Sequence, residues 1–310
     1  MRVLRGLAAM QRAPARAVVT VGVFDGVHVA HQALIRSTVR IAHRARGTAV
    51  VITFDPDPQV VLTPRRAPPA LMPLATRLQH LEALGVDDVW IIPFTKRFAR
   101  MSAEQFVEQM LIRRLRASVL IVGQTFLFGR NRRGDMDVLQ TLCPRYGVRV
   151  IPVRPIARAG RIVSSSRIRR LIERGALAQA QELLGYPPTL YGAVVRGVGR
   201  GERLGFPTAN LQLIPQVLPP HGVYVVRARV EGRRRRGVMN LGNRPTFGPG
   251  PVVCEVHLLG FSGRLHGTPI ALELMTRLRG ERRFSSPQAL VRQVRRDLSR
   301  ARQLFARSTR

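Results

Sequence analysis

Two histidines three positions apart, His28 and His31, stand where the apolar run AVVTVGVF gives way to a helical pattern. At that spacing both rings can face one way beside the unpaired N–H groups of a helix start, which suits the holding of an anion. A second constellation lies in LGFPTAN at 204–210, behind the glycine-broken run RGVGRGE. Gly199 and Gly201 allow the backbone to lie close against a phosphate, and Pro207 fixes the direction of the chain. Thr208 and Asn210 then offer hard oxygen donors of the kind that complete a magnesium shell shared with substrate phosphates. In VVCEVHLL the period-two alternation sets Val252, Cys254, Val256 and Leu258 on one face and Glu255 with His257 on the other, leaving Glu255 available to accept a proton from an alcohol. In SSSRIRR, Ser165 and Ser166 can cap a helix start while Arg167 offers a planar fork to a phosphate. Each stretch also reads as something plainer: a turn-rich connection, helix-start residues, a solvated strand acid, a simple cap. The residues alone leave both readings open.

The elements that must carry these groups divide into two kinds. From Ala17 to about Glu173 strands and helices alternate: strand Ala17 to Phe24, helix about Gln32 to Arg46, strand Thr48 to Phe54, helix Ala75 to Leu84, strand Asp88 to Ile92, helix Ala103 to Leu115 and strand Ser118 to Val122. That series predicts a doubly wound α/β domain with a parallel sheet. Ser102 and Gln105 form a capping-box pattern for the helix at Ala103. A proline-rich excursion marked by FDPDP and PRRAPP leaves the second strand. A helix opening at the SSSRIRR stretch and a short one at Ala176 to Leu184 close this domain at 185, and GYPP serves as a linker. From 189 to 310 the chain turns to short β-rich segments, YGAVVR, GVYVVRARV, RRGVMNL, VVCEVHLL and PIALELM, which predict a small antiparallel β-barrel. A final helix, Pro287 to about Phe305, presents Leu290, Val291, Val294, Leu298 and Leu304 along one face.

Composition narrows the class of function. The 310 residues carry a formal net charge of +33, a field that would attract nucleic acid if it were concentrated on one face. The arginines are scattered through nearly every segment, densest at Arg233 to Arg236, and aromatic content is 5%, so stacking platforms for single-stranded bases are not evident. Salt-sensitive, nonspecific nucleic-acid binding is the expectation from charge, with no specific nucleic-acid role; a basic nucleic-acid-binding protein stands as a distant alternative. Cys143 and Cys254 are isolated, in neither a zinc-ligand spacing nor a disulfide framework. No apolar run spans a bilayer, and the expected location is the cytoplasm.

Taken together and in order, GVFDGVHVAHQ, FDPDP, VGQTFLFGRNRRGD, SSSRIRRLIERG, GERLGFPTAN, NLGNRPTF and CEVHLLGFSGRLHG resemble the bacterial bifunctional riboflavin kinase/FAD synthetases from about Val18 to Phe305. The resemblance implies a Rossmann-like nucleotidyltransferase domain that adenylylates FMN, followed by a riboflavin kinase-like barrel, with magnesium-ATP as co-substrate of both. It implies that His28, His31 and Arg167 neutralise phosphate charge, that Gly22, Phe24, Asp25, Gly26, Ser165 and Ser166 line the first nucleotide site, and that Glu255 is the base of the kinase. Thr208 and Asn210 match the magnesium and phosphate ligands, with Gly199, Gly201, Gly205, Pro207, Asn243 and Arg244 around the second nucleotide and flavin. The chain departs from the family pattern at Ala30, Asp57 and Thr125, which defines an alternative in which the kinase is retained and the adenylyltransferase module is weak or inactive. Further departures, at Glu202, Gly260 and His266, lie beside the kinase groups.

Overall fold

The computed structural model describes residues 1–9, 13–197, 205–243 and 252–307. One compact unit comprises Met1–Pro69 and Pro73–Ser165. Its sheet has six strands, β1 (Arg2–Arg5), β2 (Val18–Val21), β3 (Ala49–Asp55), β4 (Asp88–Pro93), β5 (Val119–Gly123) and β6 (Arg149–Val153), in the order β1-β4-β3-β2-β5-β6. All five pairings are parallel. β2 is buried at every position, as a strand covered on both faces requires. Strand order runs one way from β2 through β3 to β4 and the other way through β5 to β6, so a crevice opens beyond the carboxyl ends of β2 and β5.

Helices α1 (Val29–Arg44), α2 (Pro58–Leu62), α3 (Leu74–Ala83), α4 (Ala103–Phe106, continued in π-helical form over Val107–Arg114) and α5 (Met136–Leu142) belong to this unit. The capping box forms at α4: Ser102 accepts from the Gln105 backbone N–H at 3.1 Å and the Gln105 side chain accepts from the Ser102 N–H at 3.0 Å. Such a cap contributes about 1 kcal/mol. The strand expected over Ala17 to Phe24 stops at Val21, because Phe24 takes a left-handed backbone (φ 56°) and turns the chain. The following helix starts at Val29 rather than Gln32, with His28 as its cap. A hairpin of β7 (Ala157–Arg158) and β8 (Arg161–Ile162) precedes α6 (Ser165–Glu173).

The other unit comprises Ala70–Met72 and Ser166–Arg310. The sequence reading ended the first domain at 185, after both α6 and α7 (Leu177–Leu184), whereas packing groups these helices with the barrel. The reason is visible at Leu177, which shares an apolar cluster with Leu190, Tyr224 and Leu272. Ala70 joins the same unit through a backbone hydrogen bond from Val217 N–H, 2.9 Å. The barrel is closed and antiparallel, β10-β13-β12-β11-β14-β9, from β9 (Thr189–Val195), β10 (Ala209–Leu213), β11 (Gly222–Val230), β12 (Arg233–Gly242), β13 (Val253–Leu258) and β14 (Pro269–Arg279). β10 is the strand that the sequence hides, since glycine and proline make 204–210 read as loop.

Helix α8 (Pro287–Arg307) lays Leu298, Ala301 and Phe305 on Val223, Val225 and Val238, with Val294 and Leu304 at the margin of the cluster. A part-buried Arg279–Asp297 ion pair at 2.9 Å ties α8 to the end of β14. The arginine run is housed in β12, where Arg227 faces Arg236 and Arg229 faces Arg234 across the ladder. Like charges so placed repel. Glu273, 5% exposed, offsets them by accepting from Arg229 Nε at 2.9 Å with Arg234 at 3.8 Å, while Arg236 lies over the Phe305 ring.

Candidate active sites

The segment from Gly22 to His28 leaves β2 at the switch of strand order. Phe24, Gly26 and Val27 all have positive φ (56°, 80° and 31°). For a β-branched residue such as Val27 this is a strained backbone of the kind that clusters at functional sites. The Phe24 ring lies against Gly22, where an added Cβ would stand 3.0 Å from it, so a side chain at position 22 would press on that ring. His28 caps α1: its Nδ1 accepts from the His31 backbone N–H at 3.3 Å. A neutral His28 therefore carries its proton on Nε2. The two imidazoles stack, centroids 3.5 Å apart and planes 16° from parallel, and Phe24 meets His31 edge-on at 5.2 Å. With His28 buried and His31 half-buried, two rings this close repel one another when both are charged.

Burial, then the neighbouring His28 and the Arg77 charge, hold the His31 imidazole well below the ordinary histidine range. Its Nδ1 is buried without a partner. Between the ordinary histidine value of about 6.5 and that lowered value the unfolded chain binds the extra proton and the folded chain does not. Stability is thus fully supported above about pH 6.5 and lost as the pH falls. Calorimetry from pH 7 to pH 5 should show the sheet unit losing thermal stability more steeply in the native chain than in His31→Gln; parallel slopes would contradict this assignment.

Ser165, expected at the phosphates, donates its hydroxyl to the Asp25 carbonyl at 2.9 Å and so braces the same loop. Ser166 and Arg167 follow it in α6 and cluster with the second unit, Ser166 exposed. Asp57, one of the family departures, caps α2 by accepting from Gln59 N–H at 2.8 Å. Ala30 stands in the first turn of α1, and Thr125 is exposed in the turn after β5. Sequence reasoning missed Arg77, whose side chain is 7% exposed within α3.

In the barrel, Asn210 and Glu255 are direct partners across β10 and β13, and Glu255 also faces Asn240 of β12. Cys254, Val256 and Leu258 point into the core, as the alternation requires, leaving Glu255 and His257 on the outer face. Val252 differs from the expectation: it precedes β13 and is 39% exposed. Pro207 is held beside this face by its carbonyl, 2.8 Å from His257 Nδ1, and Gly205 adopts φ 83°. Asn243 lies exposed at the end of β12. Gly199, Gly201, Glu202 and Arg244 fall outside the described residues.

Gly197 packs directly beneath the Asn210 amide: a Cβ there would fall 1.9 Å from Nδ2. Gly197→Ala must displace that amide, and a misplacement of about 1 Å can lower a rate roughly 100-fold. The expected result is a 10- to 100-fold loss of barrel activity with the sheet unit unaffected, read by separate steady-state assays of the two units.

Burial pushes the Cys143 thiol up to about 11 and the Cys254 thiol up to about 12, so neither supplies a thiolate nucleophile at neutral pH. Among the described residues no helix is long and apolar enough to cross a membrane, and no group of three or more His, Cys, Asp or Glu side chains forms a metal site. The donor set at Thr208 and Asn210, a hydroxyl and an amide oxygen, fits an ion that arrives with phosphates.

Residues 10–167 match the FAD synthetase family model and residues 184–305 the riboflavin kinase model. The bifunctional riboflavin kinase/FMN adenylyltransferase of Escherichia coli (strain K12) is 36% identical over 307 residues, 98% of each chain. That of Bacillus subtilis (strain 168) is 34% identical, covering 94% of this chain and 93% of its own. A crystal structure described as a macrolide-efflux protein from Streptococcus pneumoniae superposes with a TM-score of 0.84 at 30% identity, over 94% of this chain and 95% of the other. With both family models matched in order and relatives aligned from end to end, the chain belongs to the family of bifunctional riboflavin kinase/FMN adenylyltransferases.

Proposed function

We propose that the barrel phosphorylates riboflavin to FMN and that the sheet unit joins FMN to the adenylyl group of a second ATP, giving FAD and pyrophosphate. One observation carries this reading. Two unlike sites stand on separately packed units, the His28–His31 stack within the span matched by the FAD synthetase model and the Asn210–Glu255 pair within that matched by the riboflavin kinase model.

The two reactions ask for different groups. A ribityl hydroxyl is a poor nucleophile until its proton is accepted; Glu255 takes that proton as the oxygen bonds to the γ-phosphorus, and the bond to the β,γ-bridging oxygen breaks to release ADP. Thr208 and Asn210 would hold the magnesium that arrives with the nucleotide, whose positive charge would offset that of the phosphates. Adenylyl transfer needs no such base, because the FMN phosphate is already ionised. Its oxygen bonds to the α-phosphorus, pyrophosphate departs, and the site's task is positioning and charge neutralisation. The imidazole N–H groups and the start of α1 supply that on the sheet unit, with Asp25 and Gly26 shaping the loop and Ser165 bracing it. Arg167, Ser166 and Asn243 are assigned to substrate binding by their match to the family's motifs.

The test is product chromatography of the purified chain with magnesium-ATP, given riboflavin in one incubation and FMN in another. FMN from the first and FAD from the second are expected. FMN without FAD would leave a kinase whose adenylyltransferase is silenced, with Ala30 and Thr125 as the first residues to revert. Neither product from folded protein would overturn the reading.

A further inference from the structure

A buried arginine sits behind the histidine pair. Arg77 projects from α3, 7% exposed, with its Nε lacking any hydrogen-bond partner. Its Nη1 lies 3.5 Å from Thr53 Oγ1, and that hydroxyl donates to the Val23 carbonyl at 3.1 Å. The guanidinium is thus one hydroxyl away from the strained backbone of Phe24 to Val27. It is close enough to His31 to oppose a second positive charge there. Asp25, Asp57 and Asp55 are the carboxylates that favour its charge, yet burial outweighs them. Burying an arginine with an unfilled donor is unfavourable in itself, and a fold that needed only packing at this place would be served by an apolar side chain.

We propose that Arg77 is a positioning residue for adenylyl transfer: through Thr53 it fixes the strained loop that carries Asp25 to His28. The inference rests on the adenylyl-transfer reading of this face. The imidazoles then present N–H groups to the phosphates from a loop that does not have to reorganise.

The test compares Arg77→Met and Arg77→Lys with the native chain in three readouts. FAD formation from FMN should fall by roughly 10- to 100-fold in Arg77→Met, mostly in kcat, and recover to within about threefold in Arg77→Lys. FMN formation from riboflavin should stay at the native rate in both. The His31 imidazole, followed by NMR, should titrate at higher pH in Arg77→Met and as native in Arg77→Lys, an effect that packing alone does not produce. Native FAD formation in Arg77→Met with an unmoved His31 titration would overturn the proposal, as would an Arg77→Lys variant no better than Arg77→Met. If the native chain made no FAD at all, the adenylyl-transfer reading would fall, while the His31 titration would still decide whether Arg77 acts on the histidine pair.

Discussion

Replacing Glu255 by glutamine is expected to lower FMN formation from riboflavin by roughly 100- to 10,000-fold, the range for loss of a general base, and to leave FAD formation from supplied FMN at its native rate. Glutamine keeps the size and shape of the side chain and removes only its capacity to take a proton. The position tolerates the change: Glu255 lies on the outer face of β13, between inward-pointing Cys254 and Val256, so the core is untouched. Surface substitutions of this kind usually stay within about 0.5 kcal/mol. A loss in rate without a loss in thermal stability therefore isolates the proton transfer. Separate assays with riboflavin and with FMN check it, and a parallel fall in both activities would mean that the two reactions do not occupy separate sites.

The second large effect is the converse. His31→Ala should reduce FAD formation roughly 100- to 1,000-fold, the magnitude for removing one preorganised donor from a site of developing charge, and leave the kinase intact. The change opens space between Phe24 and His28, since His31 stacks on one and meets the other edge-on. It also removes a buried ring nitrogen that has no partner. Lost ring contacts at about 0.5–1.5 kcal/mol each and a relieved unsatisfied atom at about 1–3 kcal/mol are of similar size and opposite sign. Stability should accordingly move little, and calorimetry beside the rate assay separates a catalytic loss from unfolding.

How much of this was legible in the sequence depends on the range of the forces involved. The apolar strands, the alternation around Glu255 and the Ser102 cap are local patterns, and each formed close to its expected place, with β2 ending short at Val21 and Val252 falling outside β13. β10 was not legible because Gly205 and Pro207 dominate its approach, and its strand character comes from partners in β9 and β13 that are distant in sequence. β1, with only one of its four residues partly buried, has no apolar pattern to betray it and exists through pairing with β4. The histidine pair stands out by its spacing, but its stacking and the lowered basicity of His31 arise from a backbone turn and burial that spacing does not encode. Arg77 did leave a signal. It falls on the apolar stripe Leu74, Leu78, Leu81 of α3, and a lone charge on a buried stripe must answer to something inside.

The central claim, one chain with two independent sites acting in sequence, is tested most directly by mixing the two variants. Glu255→Gln and His31→Ala are each incubated with riboflavin and magnesium-ATP, alone and together, and FAD is measured by chromatography. Each variant alone should make FAD at least about 100-fold more slowly than the native chain, the first for want of FMN and the second accumulating FMN, whereas the mixture should make it readily from riboflavin. FAD from either variant alone as fast as from the mixture, or no more from the mixture of folded proteins than from either alone, would contradict the claim.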